Sequence, residues 1–67
     1  MNTNTNIKLD AYTAVGLAEG FIESNSEEEV IAAWQYIYDN DLWQTLQGWF
    51  GRTVNDLLKE GIIKPKS

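Results

Sequence analysis

Apolar residues recur every three or four positions along most of the chain, in three stretches separated by short polar turns. The first stretch predicts a helix from about Asp10 to Glu23, with Ala11, Ala14, Val15, Ala18, Phe21 and Ile22 on one face. Asp10 suits its N-cap, since a carboxylate there accepts from the unpaired amides of the first turn. Ser24-Asn25 closes it. The second helix is expected over 27–39 and has the stronger start. Ser26 and Glu29 stand at capping-box spacing, and Glu27, Glu28 and Glu29 sit where the helix dipole favours negative charge. Val30, Ala33, Trp34, Ile37 and Tyr38 then form its apolar stripe. The three glutamates thus have a structural explanation that needs no ligand.

Asp39-Asn40-Asp41 is the next turn. It begins like a calcium loop, but Trp43 and Phe50 stand where oxygen ligands belong at positions five and twelve. Asn40 suits a left-handed C-cap, and Asp41 with Gln44 has the spacing of a second capping box. The third helix is expected over 42–60, because Leu42, Leu46, Trp49, Phe50, Thr53, Val54, Leu57 and Leu58 keep helical spacing throughout. Gly61 is placed to cap it, with Ile62 closing back on Leu57 or Leu58, and Pro65 ends the pattern. The expected fold is all-α, a small three-helix bundle forming one domain over 9–63. The polar segment M-N-T-N-T-N-I-K at 1–8 reads as a disordered tail, and 64–67 as a C-terminal one.

Two features exceed what a bundle core requires. The apolar arc of the third helix spans roughly 180°, against about 100° for a single buried stripe. Trp43, Val54 and Leu58 widen it on one flank and Trp49 on the other, so the helix either packs both others or offers a homodimer seam or partner site. Gly48 and Gly51 are the second feature. Each costs about 1 kcal/mol relative to alanine inside a helix, which points to a kink or break at Gly48 or to close approach of another backbone. Gly16 and Gly20 repeat the theme on the expected outward face of the first helix, beside Tyr12, Glu19 and Glu23.

At 67 residues, without histidine or cysteine, the chain lacks the scaffold and the usual side chains for acid–base, thiolate or zinc chemistry. An enzyme is therefore not expected, and no cofactor or metal site is assigned. No stretch approaches the apolar length of a membrane span and no signal peptide precedes the first helix, so a soluble intracellular protein is expected. The net charge of −5 is unevenly placed. Between Leu9 and Gly51 there is no lysine or arginine, while Asp10, Glu19, Glu23, Glu27, Glu28, Glu29, Asp39 and Asp41 all fall there. Such a face keeps a small domain soluble or steers it toward a basic partner. Direct nucleic-acid binding is disfavoured for want of clustered bases, and the glycine pair lacks the basic neighbours of a GxxG nucleic-acid loop.

The segment W-Q-T-L-Q-G-W-F-G-R-T (Trp43 to Thr53), with A-E-G-F-I-E (Ala18–Glu23) and E-E-V-I-A-A-W-Q-Y (Glu28–Tyr36), resembles small proteins of tailed bacteriophages and prophages. The likeness covers about Ala14 to Ile63 and is most specific in L-Q-G-W-F-G-R-T. It implies a viral accessory protein made in the bacterial cytoplasm, with no activity or site to carry over. The leading expectation is a non-enzymatic module that binds and modulates a host protein through Gly48, Trp49, Phe50, Gly51, Arg52 and Asn55. Two rivals remain open. One is a homo-oligomer pairing through the wide apolar arc. The other is an acidic nucleic-acid mimic presenting Tyr12, Glu19, Glu23, Glu27, Glu28 and Glu29.

Overall fold

The computed structural model of the chain describes residues 9–65, and its first two helices begin where their capping side chains predict. The N-terminal tail expected at 1–8 lies outside the described residues, as do Lys66 and Ser67. The elements are α1 (Ala11–Glu19), α2 (Glu27–Asp39), a short 3-10 turn (Leu42–Gln44) and α3 (Gly48–Lys59). Among the described residues there is no strand, and the architecture is a small all-α three-helix bundle.

Asp10 holds the extended backbone of an N-cap, and its Oδ1 accepts the Thr13 amide at 2.8 Å. That bond to the charged carboxylate keeps Asp10 below its ordinary pKa. Ser26 does the same for α2, its Oγ accepting the Glu29 amide at 3.4 Å. The return arm of the expected capping box is displaced by one residue, for Glu29 Oε1 accepts from the Asn25 amide at 2.8 Å.

Helix ends depart from the periodicity. α1 stops at Glu19, not Glu23, because Gly20 adopts φ 86° and turns the chain out of the helix. Phe21 donates to the Gly16 carbonyl at 2.9 Å and Gly20 to that of Leu17 at 3.3 Å, the paired bonds of a Schellman ending. Leu17 therefore takes the buried place, while Phe21 and Ala11, both expected inside, are exposed. At the end of α2 the left-handed residue is Asp41 (φ 57°), and Asn40 instead caps with its side chain, Nδ2 donating to the Tyr36 carbonyl at 3.0 Å. A left-handed Asp41 lacks the extended backbone an N-cap needs, so the expected Asp41–Gln44 capping box does not form.

The helix expected over 42–60 is broken ahead of Gly48. The Thr45 amide and hydroxyl both donate to the Leu42 carbonyl, at 3.0 and 2.9 Å. This is the acceptor that a continuing α-helix would give to Leu46. After the extended Gln47, α3 starts afresh and runs to a second Schellman ending at Gly61 (φ 75°), with Ile62 donating to the Leu57 carbonyl at 2.9 Å. The backbone closure is the one expected, but Ile63 enters the core and Ile62 stays 40% exposed. Lys64, placed by the pattern in the C-terminal tail, is tied to α2. Its amide donates to Gln35 Oε1 at 2.8 Å and its carbonyl accepts from Gln35 Nε2 at 3.0 Å.

Ala14, Leu17, Ala33, Trp34, Ile37, Phe50, Val54 and Ile63 form one buried cluster. α1 lies directly against α2, where the fully buried Ala14 and Ala33 leave room for close backbone approach. Bulky rings join α3 to α2 instead. Trp49 stacks on Phe50 with centroids 4.0 Å apart, and Trp34 meets Phe50 at 5.6 Å and Trp49 edge-to-face at 6.1 Å. The wide apolar arc of the third segment is thus partly explained by its contribution to the core.

Candidate functional site

The break before α3 creates a groove. The 3-10 turn brings Trp43 onto the first turn of α3, and a cavity of about 470 Å³ opens between that indole, Tyr38 and the flank of the helix. Val54 and Leu58 supply more apolar lining, with Gly48, Gly51, Arg52 and Asn55 completing it. A methyl group built on Gly51 would meet Trp43 Cε3 at 3.4 Å, an ordinary contact, so the indole lies against the helix with room for one more carbon. No backbone of the described residues makes the close approach that the sequence raised for this position; its neighbour is the Trp43 side chain, at ordinary contact distance from a methyl group. Gly48 marks the break, and the nearest atom to a methyl group there would be Arg52 Nη1 at 3.8 Å.

Of the six residues expected on this surface, Gly48, Gly51, Arg52 and Asn55 line the groove. Phe50 does not, being 1% exposed, because its ring fills the space between Trp34 and Trp49. Trp49 is only partly buried, yet it stacks on Phe50 and lies outside the groove lining. The reading of Phe50 as a surface anchor is corrected accordingly, whereas Trp49 keeps a partly exposed place outside the groove. Trp43, Val54 and Leu58, singled out as the flank in excess of one stripe, form the apolar lining, Val54 at its buried floor. Tyr38 was expected in the core stripe of α2, and nothing in helical spacing alone marks it as groove lining. An adjoining concavity shares Trp43, Gly48 and Gly51 and adds Gln44 and Leu46. The Trp43 Nε1 is buried with no hydrogen-bond partner among the protein atoms, an unmade bond of the kind that folded proteins avoid.

The second expected surface is divided as well. Tyr12 and Glu19 line a concavity of about 360 Å³ on α1, together with Phe21, Ile22, Val15, Gly16 and Ala11. Glu23, Glu27 and Glu28 are exposed but do not line it. Gly16, expected to face outward, is buried. A methyl group on it would stand 2.5 Å from Ile22 Cδ1, so the missing side chain makes room for the returning segment.

Among the described residues no group of three or more histidine, cysteine, aspartate or glutamate side chains is placed to hold a metal ion. No helix there is long and apolar enough to cross a membrane. Comparison of the chain with family models, curated proteins and solved structures finds no match.

Gly51 gives a direct test of the groove wall. It sits within α3 with no positive φ, and the alanine methyl would reach Trp43 at ordinary van der Waals distance. Gly51→Ala is therefore expected to stabilise the fold by about 0.5–1 kcal/mol through helix propensity. A thermal melt should rise by several degrees. A lower melting temperature would mean that Trp43 packs more tightly against this turn than the contact distance allows.

Proposed function

We propose that this chain is a non-enzymatic accessory protein of the phage type, which binds a protein of the bacterial cell and modulates it through the Trp43–Arg52 groove. The observation that carries the reading is the groove itself, an apolar concavity about 470 Å³ in volume with a cationic side chain among its lining. Such a site suits one inserted apolar side chain of a partner, with Arg52 and Asn55 pairing to its polar surroundings. The phage setting rests on the resemblance of the segment from Trp43 to Thr53, which supplies Trp43, Gly48, Gly51 and Arg52.

The test compares the wild-type chain with Gly48→Glu as affinity baits in a bacterial lysate, at low and high salt. Glutamate at the first position of α3 complements the helix dipole, and its β-carbon would meet only the end of Arg52, so circular dichroism should be unchanged. Because Gly48 lines the groove, the substitution also adds a charged side chain to that lining. A lysate protein held by the wild type at high salt and lost by Gly48→Glu supports the reading. Equal retention by both would remove the groove as the binding site. Retention of untagged copies of the chain alone would favour a homo-oligomer instead.

A further inference from the structure

A different face carries a second inference, independent of that groove. Tyr12 and Phe21 are the two most exposed large apolar side chains among the described residues, at 81% and 84%. They line one concavity with Glu19. The exposure of Phe21 is built into the backbone. In a Schellman ending the residue after the glycine usually packs back on the helix three positions before its cap. Here that helix position is Gly16, which offers no side chain, and the space beside it is taken by Ile22. The backbone bonds from Phe21 and Ile22 to the Gly16 carbonyl, at 2.9 and 3.1 Å, hold this arrangement. Phe21 is turned outward by an ordered turn, on the same side of α1 as Tyr12.

Glu19 is the one charged residue among the described lining of this concavity. Glu23 follows two residues after Phe21, and no lysine or arginine occurs between Leu9 and Gly51. Aromatic faces attract cations through their quadrupoles, and a carboxylate beside them adds a charge partner. We propose that the Tyr12–Phe21 concavity receives a lysine or arginine side chain from an exposed basic segment of a partner protein, seated against the rings and paired with Glu19. The neighbouring Val15 and Ile22 accept the aliphatic stem of that side chain.

The test is a nuclear magnetic resonance titration of the full chain with two capped pentapeptides, Gly-Leu-Arg-Leu-Gly and its norleucine counterpart. The arginine peptide should shift the resonances of Tyr12, Glu19 and Phe21, with dissociation constants weakened about 3–10-fold in Phe21→Ala and in Glu19→Gln. Both side chains are exposed, so the melting temperature of each variant should match wild type. Tighter binding of the norleucine peptide would overturn the proposal in favour of a purely apolar contact. Shifts spread over Glu27, Glu28 and Asp39, and indifferent to Phe21→Ala, would overturn it in favour of diffuse charge attraction. Concentration-dependent light scattering abolished by Phe21→Ala would assign the face to a second copy of the chain.

Discussion

Trp34→Ala is expected to destabilise the fold by about 3–5 kcal/mol, the range for deleting a large aromatic from a core. Total stability for a chain this long is on the order of 3–10 kcal/mol, so the variant should be largely unfolded or melt far below wild type. Trp34 is 7% exposed and is the ring through which α2 meets both Trp49 and Phe50. Its removal leaves a cavity where the rings of α2 and α3 meet, and it forfeits the aromatic contacts as well. Trp34→Phe should recover part of the loss by restoring volume and one ring contact. Thermal and urea melts followed by circular dichroism measure both variants. A cooperative melt of Trp34→Ala within a few degrees of wild type would show that this ring is not central to the core.

That Trp34 is buried was legible in the sequence, since it stands mid-stripe in a helix whose two ends the local chemistry fixes. Asp10 and Ser26 were legible for the same reason, as a cap depends on residues three apart and little else. The ends of the helices were harder. Apolar spacing continues across Gly20, so periodicity alone carries α1 through Phe21 and Ile22, although a left-handed glycine stops it. Leu42 and Leu46 likewise keep helical spacing across a break set by Asp41 and Thr45, whose backbone conformation and hydroxyl bond no spacing rule records. The second of these breaks is the one Gly48 had raised, and both endings moved candidate surface residues. Phe21 went from core to surface at one ending, and the break at the other placed Trp43 across Gly51 to form the groove. Gly48 and Gly51 did signal something beyond a continuous helix. Gly48 marked the break, and no backbone of the described residues lies against either glycine: their neighbours are the Arg52 and Trp43 side chains at ordinary contact distances.

The second large effect is expected at the C-terminal end, where two adjacent isoleucines differ sharply. Ile63→Ala should cost about 2–5 kcal/mol, because Ile63 is 1% exposed and belongs to the central cluster. Ile62→Ala should cost about 1 kcal/mol or less, in proportion to the smaller surface it buries. The contrast follows from the ending of α3. Gly61 turns the chain with φ 75°, the Ile62 amide closes on Leu57, and the next side chain is delivered inward. Beyond it the Gln35 amide grips the Lys64 backbone on both its donor and acceptor sides. Gln35→Ala should therefore be non-additive with Ile63→Ala, since both release the same segment from α2. Urea melts of the two isoleucine variants, of Gln35→Ala and of the Gln35→Ala/Ile63→Ala double variant test this together. Equal losses at positions 62 and 63 would mean that the Schellman turn does not fix which isoleucine enters the core. Strict additivity of the Gln35 and Ile63 changes would mean that the clamp and the buried side chain hold the segment independently.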